Sequence, residues 1–180
     1  VNYRTGEMRQ LTDRNGPDFA PSLSPDGSRL AYLGYEDRLM GYHNSQVSIL
    51  DLNSGKITQL TEGLDRSIDW VEWAGNSRQL LISFDDFGKR KLASVDMEGD
   101  LRPLESDVGS TGISRPYTSG DFTVSDNGAY AYTAGGPDRP ADVAFGHDDS
   151  AIRLTDLTAD LLDHKTLGEV REISWRSSVG

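Results

Sequence analysis

Ser24-Pro25-Asp26-Gly27, followed closely by Leu30-Ala31-Tyr32-Leu33, is a tight polar turn that leads into an apolar strand. Asp-Gly and Asn-Gly pairs supply the positive φ angles that a two-residue hairpin turn requires, and Pro25 presets φ at its start. The pattern recurs as Ala74-Gly75-Asn76-Ser77 before Leu80-Leu81-Ile82, and as Ser125-Asp126-Asn127-Gly128 before Ala129-Tyr130-Ala131-Tyr132. Each occurrence predicts a hairpin.

A second element keeps phase with these hairpins. Its four copies are Gln10-Leu11-Thr12, Gln59-Leu60-Thr61, Pro103-Leu104-Glu105 and Arg153-Leu154-Thr155, and their leucines are 49, 44 and 50 residues apart. A period of this size is typical of propellers, whose blades of four strands repeat every ~40–50 residues.

A third element completes the repeat. Short strands with partial apolar alternation precede a turn at Gln46–Leu52, Lys91–Met97 and Ala141–Phe145. We therefore predict an all-β fold, a partial β-propeller of about three four-stranded blades. The predicted blades cover 17–61, 62–105 and 106–155, and 1–16 reads as the outer strand of a preceding blade.

The last segment, 156–180, departs from the repeat and reads as a linker with a short helix. The helix is predicted from a cap at Thr158 to about Lys165, and a strand is predicted over 170–175. Blades cannot bury their faces alone. We expect inter-blade layers that include Trp70, Trp73, Phe84 and Phe122.

An open arc of blades leaves apolar faces in water, because complete propellers have roughly four to eight blades. Such faces predict either missing blades in a longer protein or association of several copies.

Composition excludes several classes of protein. The 180 residues carry a formal net charge of −11, which argues against nucleic acid and anionic lipid as partners. The chain has no cysteine, so disulfides and thiolate metal sites are excluded. No apolar run approaches the ~20 residues of a membrane helix. These features indicate a soluble protein and leave its compartment open between cytoplasmic and periplasmic or secreted.

The repeats resemble those of TolB-like propellers and of prolyl oligopeptidase-like serine peptidases. The finer likeness is to the acylaminoacyl-peptidase and dipeptidyl-aminopeptidase-like branch. It rests on the stretches 30–44, 60–67 and 138–141, and most of all on 154–178, which ends in Ile173-Ser174-Trp175-Arg176-Ser177-Ser178. In that branch this last segment closes the propeller and leads into an α/β-hydrolase domain.

The sequence departs from the family pattern in two places. Val179-Gly180 stands where the family usually has Asp-Gly, and the second turn is Gly75-Asn76-Ser77. The family's hydrolase domain is absent from these 180 residues. The resemblance therefore transfers no catalytic residue, and we assign no catalytic, cofactor-binding or metal-binding residue and no cofactor.

Within the chain, candidate chemistry is sparse. Gly112-Ile113-Ser114-Arg115-Pro116 lacks the final glycine of a nucleophile elbow and reads as a loop. His43, His147 and His164 lack the spacing of a zinc site, and we expect His43 to be a solvated loop residue.

We interpret the charged runs as structural elements rather than as binding sites. We interpret Asp85-Asp86-Phe87-Gly88 and Asp148-Asp149 as hairpin turns rather than calcium loops, and Lys89-Arg90-Lys91 as a solvated strand end. Arg66 and Arg115 lie in predicted loops where they could line the channel.

Two functions of different classes fit. The first is a non-catalytic propeller segment of a serine oligopeptidase, which gates peptide access to its hydrolase domain. Its partners would be that domain, the missing blades and the peptide substrates. The alternative is a TolB-like interaction propeller without enzymatic activity, which the 156–178 tail fits poorly. A propeller enzyme with a channel metal, like the related sugar lyases, is disfavoured by the dispersed histidines.

Overall fold

The fold is described from a computed structural model that covers residues 2–110, 119–148 and 150–178. Its strands are antiparallel and its first sheet has the order β1-β2-β3-β4. These strands are β1 (Asp18–Leu23), β2 (Arg29–Gly34), β3 (Gln46–Asp51) and β4 (Ile57–Gln59). All four lie within the segment 17–61 that the repeat predicts as one blade.

The second and third blades follow in the same way. The second has β5 (Ile68–Trp73), β6 (Gln79–Asp86), β7 (Lys89–Asp96) and β8 (Leu101–Val108). The third has β9 (Phe122–Val124), β10 (Tyr130–Gly136), β11 (Arg139–His147) and β12 (Ser150–Arg153). The end of β8 joins them, since Val108 pairs with Ala134 of β10.

Two apolar layers fill the spaces between the blades, because alternate side chains of a strand point to opposite faces. In β6, Leu80 and Ile82 face the first blade, whereas Leu81 faces the third. Trp73 and Phe84 are buried in the first layer and Phe122 in the second, as predicted. The expectation for Trp70 was wrong: half of its surface is exposed. A bulge at Asp69 shifts the register there.

The second layer also contains a polar contact. Tyr130 and Tyr132 donate to the two carboxylate oxygens of Glu105, at 2.8 and 3.0 Å. Burial and these bonds raise the pKa of both phenols. Glu105 occupies the threonine position of the repeated Leu-Thr element, and here it ties the outer strand of one blade to the next.

In the other two blades, the threonine of the Leu-Thr element fastens the third strand. The Thr61 hydroxyl donates to Gln46 Oε1 at 2.7 Å and accepts the Val47 N–H at 2.9 Å. In the third blade, Thr155 donates to Asp142 Oδ1 at 2.9 Å and accepts the Val143 N–H at 2.9 Å. We call each arrangement a threonine clip.

The two ends of the chain differ from the expectations. In the described part of 1–16 no strand forms, and the outer strand predicted there would need partner strands that these 180 residues do not include, so that assignment stays a prediction. The predicted helix is present as α1 (Ala159–Leu162). Thr158 precedes it, but its hydroxyl makes no cap bond. The strand predicted over 170–175 was wrong, because no strand of the described residues lies beside that exposed segment.

Replacing Thr61 by valine tests the first clip. Thr61→Val keeps the side-chain shape but leaves Gln46 Oε1 and the Val47 N–H without this partner in a buried place. We expect a loss of about 1–3 kcal/mol in unfolding free energy, measured by denaturant titration with an unchanged m-value. Thr58→Val on the exposed strand β4 is the control and should be nearly neutral. Equal effects of the two changes would contradict the role of the clip.

The clip of the third blade predicts a pH dependence. The Leu157 N–H, the Thr155 hydroxyl and the Arg153 guanidinium hold the pKa of Asp142 below its usual 3.8, against the opposing effect of burial. A carboxyl with a lowered pKa stabilises the fold above its unfolded value, and this stability is lost as pH falls through the folded value. The difference in unfolding free energy between the wild type and Asp142→Asn should therefore shrink as pH falls from 5 to 2. A difference that stays constant over this range would contradict the assignment.

Candidate functional site

The strand order gives the propeller segment two unlike rims. Tight turns at 24–28, 52–56, 74–78, 97–100 and 125–129 lie at one end of the strands, which we call the turn rim. The other end, the loop rim, carries the loop 35–45, the crossover 60–67 and the hairpin at Phe87-Gly88. Longer irregular segments are where proteins usually place binding groups, so the loop rim is the candidate functional site.

Two neighbouring turns on the turn rim are bound to each other. The Asp26 carboxylate accepts from Ser24 Oγ at 2.6 Å and from the Ser28 N–H at 3.0 Å, and these bonds lower its pKa to about 2. The Asp26 N–H reaches Ser77 Oγ in the next blade at 3.2 Å. Local hydrogen bonds therefore stabilise these two polar turns.

On the loop rim, the 35–45 loop is bound to the crossover. Asn44 donates to Asp65 Oδ1 at 2.9 Å, and the hydroxyls of Ser45 and Ser67 are 2.6 Å apart. Gln46, the partner of Thr61 in the clip, also donates to the Leu64 carbonyl at 3.2 Å. The first threonine clip is therefore linked to the loop rim, because Gln46 binds both Thr61 and the crossover.

The loop 35–45 is organised around His43. Its ring stacks on Tyr35 with centroids 4.7 Å apart, and its Nε2 accepts the Arg38 N–H at 3.0 Å. Asp37 Oδ1 lies 3.9 Å from the same nitrogen. The expectation of a solvated His43 was wrong, since its side chain is only 10% exposed. Its contacts within the loop exclude water.

A charged cluster connects the crossover to the second blade. The Asp86 carboxylate binds Arg66 Nε at 2.6 Å and also the Lys91 ammonium. These two cations hold the pKa of Asp86 below its ordinary value, against the effect of burial. Arg66 also lies over the Phe87 ring, 5.3 Å from its centroid. Arg66 is thus fixed at the rim, as its predicted loop position allows.

A second cluster lies nearer the inner strand. Arg90 binds Asp85 at 2.7 Å and Asp69 at 3.0 Å. Burial raises the pKa of Asp69, and Arg90 opposes this. Solvated strand-end positions were expected for Lys89-Arg90-Lys91. This was wrong for Arg90, which is 12% exposed, and holds for Lys89, whose pair with Asp107 lies in solvent.

Sequence reasoning overlooked these ion pairs. The hairpin register places Asp85 opposite Arg90 and Asp86 opposite Lys89, and Lys91, two residues further along the strand, pairs with Asp86 diagonally. The two-residue turn at Phe87-Gly88 fixes that register. Cross-strand pairing of opposite charges, counted outward from the turn, was the available signal.

Two clefts flank the crossover and share Leu64 and Asp65. One, of about 630 Å³, lies against the second blade and is lined by Phe84, Phe87 and Pro103 among others. The other, of about 650 Å³, lies under the 35–45 loop beside Met40 and Tyr42. The loop rim therefore offers concave, mixed apolar and charged surface.

The remaining sequence candidates do not assemble. His147 lies at the turn rim, 3.2 Å from Asp148, and His164 lies in the exposed tail. Across 2–110, 119–148 and 150–178, no three His, Asp or Glu side chains group as a metal site. The stretch Gly112–Pro116 with Arg115, and Asp149, lie outside the described residues. None of the helices in the part of the chain that is described has the length and apolarity needed to cross a membrane.

Known proteins support the fold and the resemblance. No family model matches the chain. Dipeptidyl-peptidase 5 of Trichophyton tonsurans is 28% identical over 96 residues, which cover 53% of this chain and 13% of that protein. The chain resembles a peptidase propeller. The acylaminoacyl peptidase of Pyrococcus horikoshii superposes with a TM-score of 0.70 at 16% identity, over 96% of this chain and 25% of that one.

Two further structures share the fold. The β-propeller domain of the trilobed protease from Pyrococcus furiosus gives a TM-score of 0.54 at 16% identity, over 77% of this chain and 43% of that one. TolB from Acinetobacter baumannii gives a TM-score of 0.55 at 17% identity, over 82% of this chain and 34% of that one. The predicted all-β propeller fold and both predicted resemblances are confirmed. The chain spans only a small part of the curated relatives it matches, for example 13% of the length of the Trichophyton tonsurans protein.

Removing the shared carboxylate tests the rim cluster. Asp86→Asn leaves Arg66 and Lys91 as neighbours without their anion, and we expect a loss of about 1 kcal/mol in unfolding free energy, since both cations are partly solvated. Hydrogen exchange should quicken at 64–67, the crossover that Arg66 anchors. The control Asp107→Asn removes the exposed pair with Lys89 and should change neither quantity. Unchanged exchange at the crossover in Asp86→Asn would contradict the coupling.

Proposed function

We propose that this chain is a non-catalytic propeller segment of a serine oligopeptidase of the acylaminoacyl-peptidase or dipeptidyl-aminopeptidase-like kind. The observation that carries the proposal is the sequence similarity to dipeptidyl-peptidase 5, which is 28% identical over 96 residues. The superposition on the acylaminoacyl peptidase of Pyrococcus horikoshii, over 96% of the chain, agrees with it at the level of the fold.

In this proposal the segment acts by steric gating. A propeller beside a catalytic domain encloses a chamber that admits short peptides and excludes folded chains and bulk water. The inner strand β5 contacts β1 on one side and β9 on the other, and these three strands would form part of the wall of a central channel. Trp70 and Leu23, both about half exposed or more, add apolar surface near that wall. The partners would be the hydrolase domain, the remaining blades and small peptides.

The alternative is a TolB-like interaction propeller. The TM-score of 0.55 to TolB supports it at the level of the fold. Under this alternative the loop rim would bind a protein partner without any attached enzyme.

An activity comparison separates the two functions. We expect the purified 1–180 chain to release no p-nitroaniline from acyl-aminoacyl or dipeptidyl substrates. The complete natural protein should hydrolyse them, and should cleave a short peptide at least about tenfold faster than the same sequence placed within a long chain. Hydrolysis by the 1–180 chain would overturn its non-catalytic role. A complete protein that cleaves none of these substrates would favour the interaction propeller.

A further inference from the structure

The dipeptide Asn-Gly occurs twice in the chain, as Asn15-Gly16 and as Asn127-Gly128. Asparagine is a thermolabile residue, because the backbone nitrogen of the next residue can attack its side-chain amide. A glycine in that next position leaves the nitrogen unshielded and lets the backbone rotate freely. The two pairs therefore share one chemical reactivity, and the structure around each pair decides whether it reacts.

The fold requires glycine at position 16. A Cβ atom on Gly16 would overlap the carbonyl oxygen of Tyr35 and lie 3.0 Å from the nitrogen of Asp37. The segment before β1 can approach the loop 35–45 this closely only because position 16 has no side chain. The reactive pair is therefore part of the contact between these two segments.

Asn15 is held through its side-chain nitrogen. Its Nδ2 donates to the Asp37 carbonyl at 3.1 Å, and its backbone carbonyl accepts the Asp37 N–H at 2.7 Å. Among the described residues, no donor binds Asn15 Oδ1 and the Gly16 N–H has no acceptor. Both residues are exposed to solvent. The attacking nitrogen and the attacked carboxamide carbon are thus both accessible.

Asn127 is held in the opposite way. Its Oδ1 accepts from Ser125 Oγ at 2.6 Å and from the Ala129 N–H at 3.2 Å. The Gly128 N–H donates to the Ser125 carbonyl at 3.0 Å, and this bond closes the turn. Attack by the Gly128 nitrogen must first break the turn, so Asn127 is the less reactive of the two asparagines.

We propose that Asn15 is a deamidation site, and that its conversion releases the loop 35–45 from the segment before β1. The Gly16 nitrogen attacks Asn15 Cγ and loses its proton to solvent. The C–N bond of the carboxamide breaks, its nitrogen takes up a proton and leaves as ammonia, and a cyclic succinimide forms. Water then opens the ring at either carbonyl and gives aspartate or isoaspartate. This reaction does not depend on the peptidase function.

Conversion removes the donor that holds the loop. A carboxylate at position 15 has no N–H to give to the Asp37 carbonyl, and it places a negative charge beside that oxygen. Isoaspartate also inserts one methylene into the backbone, which displaces the carbonyl that accepts the Asp37 N–H. Asp37 in turn organises the loop, because its Oδ1 accepts the Leu39 N–H at 2.8 Å. Deamidation therefore loosens the loop 35–45, which lines the cleft of about 650 Å³.

The sequence repeat supplies a matched control. Asp26 occupies the position of Asn127 in the turn of the first blade, and its carboxylate accepts from Ser24 Oγ and the Ser28 N–H. Asn127 also binds through its oxygen, so aspartate at position 127 keeps those bonds. Asn15 binds through its nitrogen, which aspartate lacks.

Peptide mapping by mass spectrometry tests the reaction. The complete natural protein is incubated in mildly alkaline buffer, folded in one sample and denatured in another. In the folded sample we expect the mass gain of about 1 Da to be about fivefold faster at Asn15 than at Asn127, because reaction at Asn127 must break a hydrogen bond. The two rates should converge in the denatured sample. No conversion at Asn15, or equal or faster conversion at Asn127 in the folded protein, would overturn the assignment of the site.

Hydrogen exchange in the complete natural protein tests the release of the loop. Asn15→Asp introduces the carboxylate directly, and Asn127→Asp is the control. We expect at least about twofold faster exchange at 37–39 in Asn15→Asp, because these amides depend on the contact with Asn15, and no change there in Asn127→Asp. Both variants should unfold at nearly the same temperature as the natural protein, since both sites are exposed. Unchanged exchange at 37–39 in Asn15→Asp, or an equal increase in the two variants, would overturn the release.

Discussion

Burial of apolar blade faces against their neighbours is the constraint on which the rest of the structure depends. No blade is thick enough to cover its own faces, so each strand of the central blade serves two layers. Leu80 and Ile82 belong to one layer and Leu81 to the other. The hydrogen bond between neighbouring turns of the turn rim and the Glu105–tyrosine contact add directional bonds between the blades to this burial.

The threonine clips link this packing to the candidate site. Thr61 fastens the third strand of its blade through Gln46, and Gln46 in turn holds the crossover through the Leu64 carbonyl. The crossover separates the two clefts and carries Arg66, whose partner Asp86 stands at the end of the next hairpin. The geometry of the loop rim therefore follows from the threonine clip that fastens the third strand of the first blade.

Most of the fold could be predicted because a repeat of 44 to 50 residues leaves few architectures open. Turn residues such as Asp26 and Gly27 predicted the hairpins, and the Leu-Thr element predicted the period of the repeat but not the hydrogen bonds of its threonines. The exposure of Trp70 could not be predicted, because it follows from a bulge at Asp69 that depends on how β5 pairs with β6. The irregular tail could not be predicted either, because it depends on the lack of a partner strand among the described residues. The burial of His43 depends on its stacking against Tyr35 within the same loop, and the sequence repeat gives no signal for such a contact.

The central claim is that these blades belong to a longer serine peptidase. The intact mass of the natural protein, measured before any proteolysis and matched to its reading frame, tests that claim most directly. We predict a chain that continues after residue 180 into a domain containing Gly-x-Ser-x-Gly, the nucleophile elbow of α/β-hydrolases. A natural protein that ends near residue 180 would contradict the claim and leave a self-associating interaction propeller.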